Sequence, residues 1–228
     1  MKKMICKFLK CAGIPALAIT GSAMLQADDR VQVQENAYLI LNSIMNGSND
    51  WERIHAAEAL LALNAQDKSV QMVFSNLPDD FISGKAAAGL LRVIARTCPE
   101  KSNYAIQELR RMAFGGEEGA MQIQATESLA KLRYVPEKTE LTKLRAQLRA
   151  GSMFSAYSAW LIAYVDRKEG ERLLNGMLQS GKDELGIPAA DALSFIPDMS
   201  VESAKALTSI VQNPDASPIL QAFALKAL

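Results

Sequence analysis

The stretch "WERIHAAEALLAL", Trp51 to Leu63, returns along the chain in altered form, and that recurrence limits the fold more than any other feature. Its echoes are "GKAAAGLLRVIA", "IQATESLAKL", "FSAYSAWLIAY", "IPAADALSFI" and "LQAFALKAL", each a set of small residues followed by leucine on a helical spacing. The equivalent positions Leu60, Leu90, Leu129, Leu161, Leu193 and Leu225 stand 30, 39, 32, 32 and 32 residues apart. A near-constant period of this length predicts an array of similar units, each too small to bury its apolar face without its neighbours.

A second set of amphipathic segments lies between the echoes: "SVQMVFSNL", "SNYAIQELRRMAF", "ELTKLRAQLRA", "GERLLNGMLQ" and "SAKALTSIVQ". Apolar residues recur in them at i, i+3 and i+4, while "LPDD", "CPE", "VPE", "SGKD" and "NPDAS" break the helical pattern between segments. Each unit therefore reads as a two-helix hairpin. Alanine allows two helices to approach closely, and the recurring leucine fills the space between units. With 49% apolar and 22% charged residues, such an array can bury a continuous core without disulfides or metal. The "FGGEEG" segment, Phe114 to Gly119, cannot continue a helix and accounts for the longer 39-residue step as an extended loop, either a tolerated insertion or a binding loop.

The pattern Arg53-x-x-Ala56-Ala57-x-Ala59-Leu60 resembles the second helix of a HEAT repeat of the short bacterial kind, and "KAAAGLLRVIAR" and "QATESLAKL" follow it more loosely. The likeness extends over about residues 33 to 228. Several units lack the aspartate and valine that commonly precede the second helix in that family, and the glycine that often follows the Ala-Leu pair. The resemblance implies an all-α, right-handed α-solenoid of about six two-helix repeats. It further implies a non-enzymatic scaffold that binds a protein or peptide along its inner helical face. The family has lyase members in its bilin-linked branch, but no residue here matches an active site of theirs.

The first 27 residues have a different character. Lys2, Lys3, Lys7 and Lys10 precede the uncharged run "CAGIPALAITGSAML", and small or neutral residues lead into "QADD", the order of a secretory signal peptide with cleavage expected after Ala27. The apolar run is shorter than a membrane-spanning helix needs, so no stable membrane span is expected after cleavage. Residues 28 to 228 then form the repeat domain. Cleavage removes four basic residues and no acidic one, leaving 21 positive against 25 negative charges, a net of −4. It also removes Cys6 and Cys11, leaving Cys98 alone, so no intrachain disulfide can form. An export signal without a disulfide framework predicts a bacterial periplasmic or secreted protein.

Little in the sequence points to catalysis. One histidine and one mature cysteine make a metal site unexpected, no G-x-S-x-G elbow appears, and the glycines form no phosphate-cradling loop; no cofactor is expected. His55 and Glu58, three residues apart on one helical face, could serve as a base with its orienting carboxylate, as a contact for a partner, or as a locally satisfied pair. The equivalent positions hold Lys85 with Ala88 and Gln124 with Glu127, so this is a variable polar lane. A dyad of Cys98 with His55 would need side chains from two units to converge.

Three further features bear on binding. Phe154, Tyr157, Leu161 and Tyr164 follow helical spacing with Trp160 at the flank, either as core or as a platform for a glycan, small molecule or peptide. Residues 85 to 149 carry 12 basic and seven acidic residues between acidic ends, so Arg92, Arg96, Arg110, Arg111, Lys131, Arg133, Lys143, Arg145 and Arg149 are either solvated helix faces or a receiving surface for an acidic partner. The apolar end "LKAL" predicts self-association through the last repeat, contact with another protein, or a truncated chain. The negative mature charge and the export signal argue against nucleic acid. The residues expected to touch a partner are His55, Glu58, Lys85, Arg92, Gln124, Glu127, Lys131, Tyr157, Trp160 and Tyr164.

Overall fold

The computed structural model describes residues 27–64, 67–77, 84–116, 119–148, 151 and 153–228. The expected signal segment, apart from Ala27, and Arg149 lie outside these residues, as do Glu117 and Glu118 of the glycine-rich loop. The chain divides into two compact units, Met1–Ile40 and Leu41–Leu228. The described part of the first unit is helical, residues 27–40 of α1 (Ala27–Met45), and it exposes Val31, Val33, Leu39 and Ile40.

The second unit is all helical among its described residues. After the end of α1 come α2 (Asp50–Leu63), α3 (Lys68–Ser75), a 3-10 turn (Gly84–Ala86), α4 (Ala87–Thr97), α5 (Pro99–Phe114) and α6 (Ala120–Lys131). Then follow α7 (Lys138–Gln147), α8 (Met153–Ala163), α9 (Arg167–Leu178), α10 (Asp183–Leu193), α11 (Val201–Gln212) and α12 (Pro218–Ala227). Side-chain caps start many of them. Asn49, Asp67, Asp166, Ser200 and Ser217 each accept backbone N–H bonds from the first turn of the helix they precede, and Pro99 and Pro218 occupy first-turn positions where no donor is lost.

Every segment read as helical in the sequence is a helix here, and the even-numbered helices are the six alanine- and leucine-rich echoes. They pack in one uninterrupted row: α2 on α4, α4 on α6, α6 on α8, α8 on α10, and α10 on α12. Each odd helix from α3 to α11 packs against the even helix that follows it. The core lies between these partners. Leu60, Leu90, Leu129, Leu161 and Leu193 are all fully buried, alongside Ala57, Ala88, Ala125, Ala159 and Ala190.

Leu225 departs from the pattern, with 64% of its surface exposed. α12 instead buries Leu220, Ala224 and Ala227, and Leu225 lies on a face that neither α10 nor α11 covers. The α4 segment also differs from a plain helix, because it opens with the 3-10 turn that carries Lys85 before the α-helical pattern begins at Ala87.

Two glycines in α9 occupy opposite environments. A Cβ on Gly170 would stand 2.4 to 2.6 Å from the Cβ, Cα and N atoms of Ala163, so only glycine permits α9 to pass the end of α8 at this distance. A Cβ on Gly176 would meet nothing within 4 Å. Chemical denaturation of the two alanine variants should therefore show opposite signs. Gly170→Ala should cost about 1 to 3 kcal/mol through overpacking against backbone. Gly176→Ala should gain about 0.5 to 1 kcal/mol through helix propensity and reduced unfolded-state entropy.

Candidate functional site

The expected contact residues lie along the row of even helices as one strip, some exposed and some, such as Arg92 of α4, buried. On α2, His55 is exposed and stacks on Trp51, with ring centroids 6.4 Å apart and planes at 23°. Its Nδ1 stands 3.7 Å from Glu58 Oε2. Glu58 also receives Arg92 Nε from α4 at 2.6 Å, and Arg92 Nη1 reaches on to donate to Ser128 Oγ of α6 at 2.8 Å. Ser128 Oγ donates in turn to the Ala88 carbonyl at 3.1 Å. One polar chain thus ties three consecutive even helices together.

The chain of bonds explains the charge state of Glu58. Burial would raise its carboxyl, but the His55 contact and the positive charges of Arg92 and Lys131 outweigh that and hold it at about 2. Arg92 is only 8% exposed, so its guanidinium clamps helices together and does not reach toward a partner. The sequence could not separate these roles, because the partners are 34 and 36 residues away along the chain. A catalytic pair needs an open pocket around its base, and His55 instead lies on an exposed helix face with its carboxylate committed to Arg92. Cys98 is fully buried beside Thr97, and burial raises its thiol.

On α6, Gln124, Glu127 and Lys131 form a half-buried strip, with Lys131 Nζ 2.8 Å from Glu127 Oε1. Gln124 Oε1 is occluded and accepts no hydrogen bond among the described residues. Lys85 stands exposed on the 3-10 turn before α4. The aromatic set of α8 splits in two. Trp160 is fully buried, its ring 4.9 Å from that of Phe195, and its indole N–H donates to Tyr164 Oη at 2.8 Å. Tyr164 Oη donates to the Ala130 carbonyl at 2.9 Å. These two are inter-helix packing, and Trp160 offers no face to a ligand.

Tyr157 is different. It is half-buried in the middle of the row, and its hydroxyl makes no hydrogen bond among the described residues. Burial raises this phenol, and the negative charges of Glu127 on α6 and Asp191 on α10 raise it further. Asp191 continues the strip by pairing with Lys226 of α12 at 2.7 Å, and that ammonium lies 5.0 Å from the centre of the Phe195 ring. Asp191 and Lys226 were not singled out in the sequence, although both lie within the alanine-leucine echoes.

The basic centre is largely neutralised internally. Arg110 bridges Glu137 at 2.6 Å and Glu140 at 2.9 Å, Arg111 pairs with Glu108, and Arg145 reaches Glu169 on α9. Lys143 donates to the Phe114 carbonyl. Among the described residues, Arg96 and Arg133 keep exposed charge without an ion pair. No group of three or more His, Cys, Asp or Glu able to hold a metal occurs among the described residues, and none of their helices is long and apolar enough to cross a membrane. No family model, curated protein or solved structure matches the chain.

Acid titration offers a check on these assignments. Glu58 and the buried Glu171 of α9 are both held at about 2, against 4.5 for an unperturbed glutamate. For Glu171, Arg167, Ser200 and Ser203 overcome the burial that would raise it. The folded chain then binds fewer protons than the unfolded chain between pH 4.5 and 2. The stability these groups supply is complete above pH 4.5 and is lost as pH falls toward 2. Urea titrations across that window should show the loss, and Glu171→Gln should have a lower plateau above it and a shallower decline within it.

Proposed function

We propose that this chain is an exported, HEAT-like α-solenoid that acts as a non-enzymatic scaffold, taking a protein or peptide partner along the strip of its even helices. The observation that carries the reading is Tyr157, a half-buried phenol at the centre of that strip whose hydroxyl has no partner among the described residues. A polar group in that position gains most when a docking surface supplies the missing bond. The flanking charges are paired as Glu58 with Arg92, Glu127 with Lys131, and Asp191 with Lys226. The partner is therefore selected by shape and hydrogen bonding more than by net charge.

The basic leader and its short apolar run support delivery to the periplasm or the medium. Fusion of residues 1–27 to a reporter enzyme active only outside the cytoplasm should give activity that a Lys-to-Glu leader variant loses.

Site-specific photo-crosslinking in cells tests the binding face. A benzophenone side chain at Tyr157 or Lys131 should yield the same discrete adduct, while one at exposed Lys205 on α11 should not. Equal labelling from Lys205, or none from the strip, would overturn the assignment. With the captured partner in hand, Tyr157→Phe should weaken binding by about fivefold, the worth of one ordinary hydrogen bond, while leaving thermal stability unchanged.

A further inference from the structure

A groove of about 830 Å³ runs between α9 and the segment leading into α11, on the odd-helix side of the chain and away from the strip described above. Its two walls carry opposite charge. Lys168 and Arg172 stand on α9, while Asp198 and Glu202 face them from the other wall. All four side chains are exposed, and none forms an ion pair among the described residues. Opposite charges that line one groove without pairing across it leave both signs available to an occupant.

The floor is rigid and already satisfied. Glu171, only 4% exposed, accepts Arg167 Nε at 2.8 Å, Ser200 N at 2.9 Å and Ser203 Oγ at 2.7 Å. Arg167 also donates to the carbonyls of Pro197 and Asp198, which fixes the acidic wall against α9. Asn175 Nδ2 donates to Ser203 Oγ at 3.0 Å, and Asn175 Oδ1 is buried with no donor among the described residues. Beside it is Gly176, a glycine in the interior of a helix where an added side chain would touch nothing. Packing gives no reason for a glycine at that position, but open access to the groove does.

We infer that this groove binds an extended peptide segment whose side chains alternate between acidic and basic. Successive side chains of an extended strand point to opposite sides, so acidic residues would meet Lys168 and Arg172 while basic ones meet Asp198 and Glu202. Gly176 would let the peptide backbone come close to α9. From residue 168 to residue 176 the helix rises about 12 Å, enough to span about four extended residues.

The experiment uses the full chain and fluorescein-labelled octapeptides read by fluorescence anisotropy. One peptide alternates Glu and Lys; a second has the same composition in two blocks, four Glu then four Lys; two more are all Glu and all Lys. Saturable binding of the alternating peptide is expected, weakened by at least about tenfold for the block peptide and for the Gly176→Leu chain, whose new side chain fills the groove. The Gly176→Leu chain should have a thermal midpoint at or above that of the parent, because its Cβ enters open space and leucine favours the helix over glycine. Lys168→Glu with Arg172→Glu is a second variant that leaves the floor intact, and it should lose binding to a similar extent. The inference is overturned if the alternating peptide gives no saturable signal, if the block or single-charge peptides bind equally well, or if Gly176→Leu binds as the parent does.

Discussion

Everything in the second unit rests on how closely successive even helices can approach. Ala57, Ala88, Ala125, Ala159 and Ala190 are fully buried, and each recurs beside a buried leucine that fills the adjoining space. The packing is tight enough to bury α8 on nearly every face. Where even alanine is too large, glycine takes over. Gly170 lets α9 pass the end of α8, and a Cβ on Gly186 of α10 would stand 3.2 Å from Leu220 of α12. Because each helix is covered by its predecessor and its successor, a cavity at one position weakens a local interface whose effect passes down the row.

Polar groups then fix the register that small apolar residues leave loose. Arg92 reaches from α4 to Glu58 on α2 and Ser128 on α6, Arg145 of α7 reaches Glu169 of α9, and Lys226 of α12 reaches Asp191 of α10. These bonds join elements 24 to 36 residues apart in sequence, about one repeat. A slip of one helical turn would break several together and strand the buried Arg92 charge, a penalty larger than the net worth of the pairs themselves.

That repeat distance also explains what the sequence revealed. The helices and their buried leucines were legible because periodicity and composition are local signals, readable within one segment. Leu225 was misread because its segment carries the same local pattern while its exposed face has no neighbour, a fact of tertiary context alone. Among the candidate contacts, the sequence left Arg92 and Trp160 open between surface and core, because charge and aromatic spacing look alike on a solvent face and at a helix junction. Their partners, Glu58 with Ser128 and Phe195 with Tyr164, decide the matter, and three of those four lie on other helices or on the segment after α10. The basic centre stayed undecided for the same reason: its counter-charges on Glu137, Glu140 and Glu169 are distant in sequence and adjacent in space.

The two surfaces that emerge differ in how their charges are held, and that difference sets what each can recognise. Along the even helices, Glu58, Glu127 and Asp191 are already paired with cations, and the group left without a hydrogen bond among the described residues is uncharged, Tyr157 Oη. In the groove beside α9 the buried acid is the satisfied one. Glu171 uses both oxygens on Arg167, Ser200 and Ser203, which removes it from competition and ties the two walls to each other. The charges above it remain unpaired at a spacing set by that floor. On the proposed reading, the tie between the walls fixes where the two signs of charge stand, so discrimination there falls on the order of charges along a ligand and not on their sum.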